Sequence, residues 1–390
     1  MKRVITGDHA VAIGAKLCRV EVVPAYPITP QTLIIEHIAE FINDGEMDAK
    51  FMTMESEHSV MSAAAGASAA GARTFTATAS QGLAYMHEMV YATAPLRLPV
   101  VMANVNRSLS TPPGIWIEYN DSMGERDSGW LQVYVEDNQE ALDMIIQSYR
   151  IAEDKRVLLP IMPCLDGFVL SHTVEPVEVP DSSEVDSFLP PYEPDVFLDP
   201  ENPALMGMLM PPQYFMEMRR QTDKAVESAK EVTGEVNREF AKVFGRDYGG
   251  LVDTYMMEDA EIALITVGTV TSTARKVVDD MRKAGKKVGI VKLRFFRPFP
   301  ADELRSALSG MGAVGVVDRS ISYNGGGPVF GEVRSALYGM NMPVINHLAG
   351  IGGRDVTEKL IATMFELTLK AANGESVKPV IWHETRGESL

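Results

Sequence analysis

The feature that most restricts this chain is an alternation, run twice, of short β-branched segments with longer stretches of helical periodicity. Parallel strands need a crossover of a dozen or more residues, usually a helix, so such an alternation builds parallel sheets covered by helices. In the first series, from Gly7 to about Ala152, residues 20–25, 50–54, 74–80 and 99–103 read as strands, with helices over 33–42, 59–70 and beyond Gln81-Gly82. The second series has strands at 262–267, 288–292 and 314–318 and helices at 271–284 and 301–308. Single cores rarely grow past about 250–300 residues. Two units are therefore expected, 1–250 and 251–390. Between them, residues 175 to about 218 are rich in proline, acid and methionine, with Pro190-Pro191 and Pro211-Pro212, and read as an extended arm; 221–244 reads as one amphipathic helix.

A formal charge of −17 repels phosphate backbones and anionic headgroups, which argues against nucleic acid and membrane surfaces as partners. Cys18 and Cys164 form no CxxC pair, so neither a disulfide framework nor a zinc or iron–sulfur site is expected within this chain. The opening Met1-Lys2-Arg3-Val4-Ile5-Thr6-Gly7 meets Asp8 and His9 before any signal-like apolar run, and the expected location is the cytoplasm.

Ligands of open parallel sheets bind beyond the carboxyl ends of the strands, which raises the standing of the loops found there. In Tyr26-Pro27-Ile28-Thr29-Pro30, the prolines fix a loop that would hold the Thr29 hydroxyl with little freedom; a plain proline-rich connector is the alternative. In Met54-Glu55-Ser56-Glu57-His58, a carboxylate sits where a strand becomes an Ala/Gly/Ser helix. A helix-dipole partner explains most such acids, but Glu57 lies beside the small-residue face that a planar ligand could approach, whereas Glu55 could face either way. Arg107 ends a buried apolar strand, where a guanidinium demands an anion: a ligand carboxylate, or an internal acid such as Asp121 or Asp127. The charged stretch 121–130 lacks metal-ligand spacing and reads as a solvated loop, and Asn138-Gln139-Glu140 as a helix cap. No Gly-x-Gly-x-x-Gly follows a strand and no Gly-x-x-x-x-Gly-Lys-Ser is present, and the glycines at 325–327 and 350–353 read as turns.

Together, Tyr26-Pro27-Ile28-Thr29-Pro30, Glu55-Ser56-Glu57, Asn106-Arg107, Arg126-Asp127-Ser128-Gly129-Trp130, Asp166-Gly167-Phe168 and Ser171-His172 resemble the alpha subunit of the 2-oxoacid:ferredoxin oxidoreductases over nearly the whole chain. Leu293-Arg294-Phe295-Phe296-Arg297-Pro298-Phe299-Pro300 is similar to that family's transketolase C-terminal-like domain. The resemblance implies an α/β chain: a pyrimidine-type thiamine-diphosphate-binding parallel-sheet domain followed by a transketolase C-terminal-like α/β domain. It implies that Glu57 hydrogen-bonds the aminopyrimidine N1′, that Pro27 and Ile28 line the cofactor, and that Thr29 and Arg107 contact the 2-oxoacid, the arginine holding its carboxylate. The catalytic set is then Glu57, Thr29 and Arg107.

The superfamily's Gly-Asp-Gly motif for magnesium and diphosphate is missing, Leu165-Asp166-Gly167 being the nearest match. A beta subunit carrying that site is therefore expected. Gamma- and delta-type subunits would carry iron–sulfur clusters to ferredoxin, with coenzyme A taking the acyl group. Thr29 agrees with the pyruvate pattern, while residues 114–120 depart from it and leave room for phenylglyoxylate or a branched-chain acid. Rival readings are a transketolase-like lyase and a non-catalytic scaffold subunit; the latter calls for a capped, buried Glu57.

Overall fold

The computed structural model describes residues 1–387. In chain order its first part consists of β1 (Lys2–Thr6), α1 (Gly7–Leu17), β2 (Val22–Ala25), α2 (Thr32–Asn43), β3 (Lys50–Thr53), α3 (Glu57–Ala69) and β4 (Phe75–Thr78). There follow α4 (Ser80–Thr93), β5 (Val101–Asn106), α5 (Asn120–Gly124), β6 (Leu131–Tyr134), α6 (Asn138–Ala152), β7 (Ile161–Asp166), β8 (Val174–Glu178), α7 (Ser182–Phe188) and α8 (Pro212–Phe244). The second part consists of β9 (Val252–Tyr255), β10 (Ile262–Thr266), α9 (Val270–Lys283), β11 (Val288–Leu293), β12 (Phe295–Arg297) and α10 (Ala301–Ala307). It ends with β13 (Ala313–Asp318), α11 (Pro328–Ala336), β14 (Val344–Leu348), a 3-10 turn at Ile351–Gly353, α12 (Glu358–Ala372) and β15 (Val380–Trp382).

The expected α/β class with parallel sheets is what the chain adopts. One sheet runs β12-β6-β7-β5-β4, parallel except for β12. The parallel pair β2-β3 joins it through a bridge between Val22 and Thr74. Every residue of β4, β5, β6 and β7 is buried, as expected of mid-sheet strands covered on both faces. The other sheet runs β15-β14-β13-β10-β11-β9, with only β9 antiparallel. The strands β2 to β5 thus end on one side of the first sheet, which is where their loops meet.

Several local expectations need correction. The arm is not featureless: β8 pairs antiparallel with β1, and α7 carries a capping box in which Asp181 and Glu184 each satisfy a backbone N–H of the other. Helix α8 starts at Pro212 rather than 221, since proline's missing N–H is no loss at a first helical position. Residues 121–130 are not a solvated loop; Asp121, Ser122, Met123, Glu125, Ser128 and Trp130 are all buried. Asp137, not Asn138, caps α6 by accepting the Glu140 N–H.

Glu140 is instead part of the seam between the two sheets. Its carboxylate receives Lys292 Nζ at 2.6 Å and Arg294 Nε at 2.8 Å, and Glu136 receives Lys292 at 3.0 Å and Arg275 at 3.1 Å. Burial alone would raise the Glu140 carboxyl; Lys292 and Arg294 outweigh it and hold it at about 2. The residues just before β12 thus neutralise Glu140 of α6 and Glu136 just ahead of it, while β12 itself hydrogen-bonds to β6.

Candidate active site

The turn after β3 delivers Glu57. Ser56 is extended and accepts the Ser59 N–H, which starts α3 with Glu57 in its first turn. Glu57 is 8% exposed and has no hydrogen-bond or ionic partner among the described residues. Opposite it stands the first turn of α4, where a Cβ added to Gly82 would fall 2.8 Å from Glu57 Oε1 and 2.5 Å from Thr78 Oγ1. Only a glycine lets that backbone approach the carboxylate. The Thr78 hydroxyl, also buried, is without a partner. Helix-dipole attraction offsets only ~0.3–1 kcal/mol of the desolvation of a carboxylate, and a buried charge without hydrogen bonds is costly. The Glu57 oxygens, unlike the Thr78 hydroxyl, are not fully enclosed, so the carboxylate is open to a hydrogen-bond donor from outside this chain. The scaffold reading calls for a capped, buried Glu57, and this carboxylate is buried but uncapped. Glu55, by contrast, is exposed and accepts the Ser59 hydroxyl.

Arg107 follows β5, and the structure brings it to the Tyr26–Pro30 loop. Its Nη1 donates to the Thr29 carbonyl at 2.9 Å and its Nε to the Gly114 carbonyl at 2.9 Å. No carboxylate pairs with this guanidinium among the described residues. The internal ion pair with Asp121 or Asp127 is thus absent, and the fork keeps donor capacity for an anion. Thr29 and Pro27 are exposed and Ile28 is partly so.

Asp121 serves a different purpose from an ion pair. It accepts the backbone N–H groups of Ser80 (3.0 Å), Arg107 (3.1 Å) and Ser122 (2.8 Å) and the amide of Asn106 (2.8 Å). Burial pushes its carboxyl up, opposed by those donors. One buried acid thereby ties the start of α4 to the end of β5. Ser80 takes a left-handed φ of 51° and donates its hydroxyl to the Ser108 carbonyl, strain of the sort stored at functional sites. Glu118 carries no hydrogen bond or ion pair among the described residues, and burial, with the Asp121 charge nearby, pushes its carboxyl up to about 7.

Sequence reasoning missed Gly82, Thr78 and Ser80. The available signal was Gln81-Gly82 directly after a β-branched strand, the same position that drew attention to Glu57 and Arg107. Asp166, the nearest match to a magnesium motif, is 1% exposed and held by Tyr119, Thr269 and Arg319. A cleft of roughly 1450 Å³ beside the arm, lined by Tyr91, Leu96, Met206, Phe215 and Met218 among others, includes none of Thr29, Glu57 and Arg107.

An uncapped glutamate at a helix start, facing a glycine-lined crevice at the carboxyl end of a parallel sheet, fits the pyrimidine side of a thiamine-diphosphate fold. The family described as pyruvate flavodoxin/ferredoxin oxidoreductase, thiamine diphosphate-binding, matches residues 13–238, and pyruvate:ferredoxin oxidoreductase core domain II matches 260–361. The pyruvate synthase subunit PorA of Methanothermobacter thermautotrophicus is 50% identical over 99% of this chain and 99% of its own length. The ketoisovalerate oxidoreductase subunit VorA of Pyrococcus horikoshii is 43% identical over 99% and 98%. Among solved structures, the fold is similar to a 2-oxoglutarate:ferredoxin oxidoreductase from Magnetococcus marinus with 2-oxoglutarate, coenzyme A and succinyl-CoA bound. The TM-score is 0.73 at 18% identity, covering 94% of this chain and 65% of that one. The chain belongs to the pyruvate flavodoxin/ferredoxin oxidoreductase family, thiamine-diphosphate-dependent 2-oxoacid oxidoreductases.

Proposed function

We propose that this chain is the subunit of a multi-subunit, cytoplasmic pyruvate:ferredoxin oxidoreductase that receives the aminopyrimidine of thiamine diphosphate and the carboxylate of the 2-oxoacid. The observation that carries this is Glu57, a buried carboxylate without a partner, pressed against a glycine. Thiamine diphosphate, when bound, supplies the electron sink for decarboxylation. Glu57 accepts a hydrogen bond from the pyrimidine ring and so biases its proton distribution. The guanidinium of Arg107, anchored on two carbonyls and free of carboxylates, takes the 2-oxoacid carboxylate. Pro27 and Ile28 line the cofactor and Thr29, an exposed residue, contacts the 2-oxoacid beside Arg107. A beta subunit supplies magnesium and the diphosphate site, gamma- and delta-type subunits carry iron–sulfur clusters to ferredoxin, and coenzyme A accepts the acyl group. The full-length similarity to pyruvate synthase subunits favours pyruvate.

The test uses the intact complex and coenzyme A-dependent reduction of a low-potential dye, with pyruvate, 2-oxoisovalerate and phenylglyoxylate compared. Glu57→Gln is expected to lower kcat by about 10²–10⁴, and Arg107→Ala to raise KM. Full turnover in Glu57→Gln would remove that residue from the site, and a preference for 2-oxoisovalerate or phenylglyoxylate would correct the substrate.

A further inference from the structure

The loop that positions Arg107 is itself held where the two sheets meet. Between β5 and α5, residues 107–119 have no regular structure, and Ser110 to Pro113, Ile115 and Trp116 are exposed. Such a segment has little burial of its own to fix it. Yet Gly114, whose carbonyl holds Arg107 Nε at 2.9 Å, lies inside it.

The loop's far end is bound tightly. The Tyr119 N–H donates to the Arg319 carbonyl at 3.1 Å, just past β13. Its buried hydroxyl donates to Asp166 Oδ1 at 2.7 Å and lies 3.3 Å from the Val267 carbonyl, just past β10. Arg319 and the Thr269 hydroxyl bind the other oxygen of Asp166. Gly268 takes a φ of 62°, and a Cβ there would lie 2.2 Å from the Tyr119 oxygen. The side chain of Asn120 accepts the Ile321 N–H at 2.8 Å and donates to the Ile321 carbonyl at 3.2 Å. Midway, Ser108 N–H donates to the Trp116 carbonyl at 3.0 Å, and Trp116 rests against Gly353 and, 4.8 Å between ring centres, against Phe168.

We propose that Tyr119 is a positioning residue for Arg107: by clamping the loop to Asp166 at the end of β7 and to Val267 and Arg319 beyond β10 and β13, it makes the junction of the two sheets set the place of the guanidinium that receives the 2-oxoacid carboxylate. The inference rests on the reading of Arg107 given above. Tyr119 touches neither substrate nor cofactor. It acts through Gly114, so its loss should weaken carboxylate binding and leave turnover at saturation nearly intact.

The experiment is a double-mutant cycle in the intact complex, with Tyr119→Phe, Arg107→Ala and the pair. Phenylalanine keeps the ring in its packed place and removes only the hydroxyl, and a thermal melt confirms that the variant folds. Tyr119→Phe is expected to raise KM for the 2-oxoacid roughly ten-fold, the scale of one hydrogen bond to a charged group, with kcat within about three-fold. In the Arg107→Ala background it should add nothing further. Equal losses in kcat and kcat/KM, or effects that multiply in the double variant, would mean that Tyr119 does not act through Arg107. A raised KM in Arg107→Ala beside an unchanged one in Tyr119→Phe overturns this inference alone. An unchanged KM in Arg107→Ala overturns the reading of Arg107 and the inference with it.

Discussion

The carboxyl ends of the two parallel sheets are made of similar strands and turns, and some of their polar groups finish in opposite ways. On the first sheet, Glu57, the Thr78 hydroxyl and the guanidinium of Arg107 are left without side-chain partners. On the second, Asp318 at the end of β13 accepts the N–H groups of Val329 and Phe330 at 3.1 Å each and the Asn346 amide at 2.9 Å, which closes the edge onto α11. Nearby, His347 Nδ1 lies 3.0 Å from His383 Nε2, and His347 Nε2 lies 3.2 Å from the Thr368 hydroxyl. Polar groups that satisfy one another hold a fold together, whereas groups left over are free for water or a ligand, and the second edge keeps a few of these at Ser320 Oγ and His383 Nδ1. The difference sets Glu57 apart from Asp318 even where strand pattern does not.

That contrast can be broken most forcefully at the seam joining the sheets. Glu140→Gln leaves Arg294 buried without a carboxylate and Lys292 with Glu136 alone, and is expected to lower the unfolding free energy by about 3–5 kcal/mol, measured by denaturant titration. With its carboxyl at about 2 in the fold against an ordinary 4.5, Glu140 stabilises fully above pH 4.5. The advantage is lost as pH falls from 4.5 to 2, so variant and parent should converge across that window.

At the open edge, Gly82→Ala improves helix propensity by about 1 kcal/mol while its methyl group meets Glu57 and Thr78. Turnover should fall about 10²-fold, the effect of an ångström-scale displacement, with the melting temperature little changed. Equal activity would mean that the crevice between α3 and α4 is not the site.

The closed edge should give the smallest effect, and one visible only in acid. Burial lowers His347 to about 3 and His383 to about 4 from an ordinary 6.5. Both are neutral in the fold, so an unfolded chain gains protons below pH 6.5, and stability falls as pH drops from 6.5 towards 4. His383→Gln should reduce the loss between pH 7 and pH 5 by about 2 kcal/mol, with catalysis at pH 7 unaffected.

Part of both series was legible because buried parallel strands are short apolar runs and their helices keep a 3.6-residue period; 262–267 and 288–292 fall within a residue of β10 and β11, whereas β6, β7, β14 and β15 were not read. Thr29, Glu57 and Arg107 stood out because each sits at a strand's end. What held them in place was not legible. Asp121 looks like any surface acid, and its burial depends on donors from Ser80 and Asn106, far from it in sequence. The pairing of β1 with β8 spans most of the first part of the chain, and no local pattern encodes it. Pro190-Pro191 and Pro211-Pro212 masked the arm's helices, because proline breaks a period inside a helix and starts one at its first position.

Strand β12 bears on how the polypeptide matures during synthesis. It supplies the outer neighbour of β6, but Phe295–Arg297 are made more than 150 residues after Leu131–Tyr134. Until they leave the ribosome, the nascent first sheet exposes an unpaired apolar edge, and Glu140 waits for Lys292 and Arg294. Such an edge is a template for pairing with other chains. Chaperone binding should therefore be most needed between the emergence of β6 and that of β12, and a chain cut short at residue 250 should aggregate.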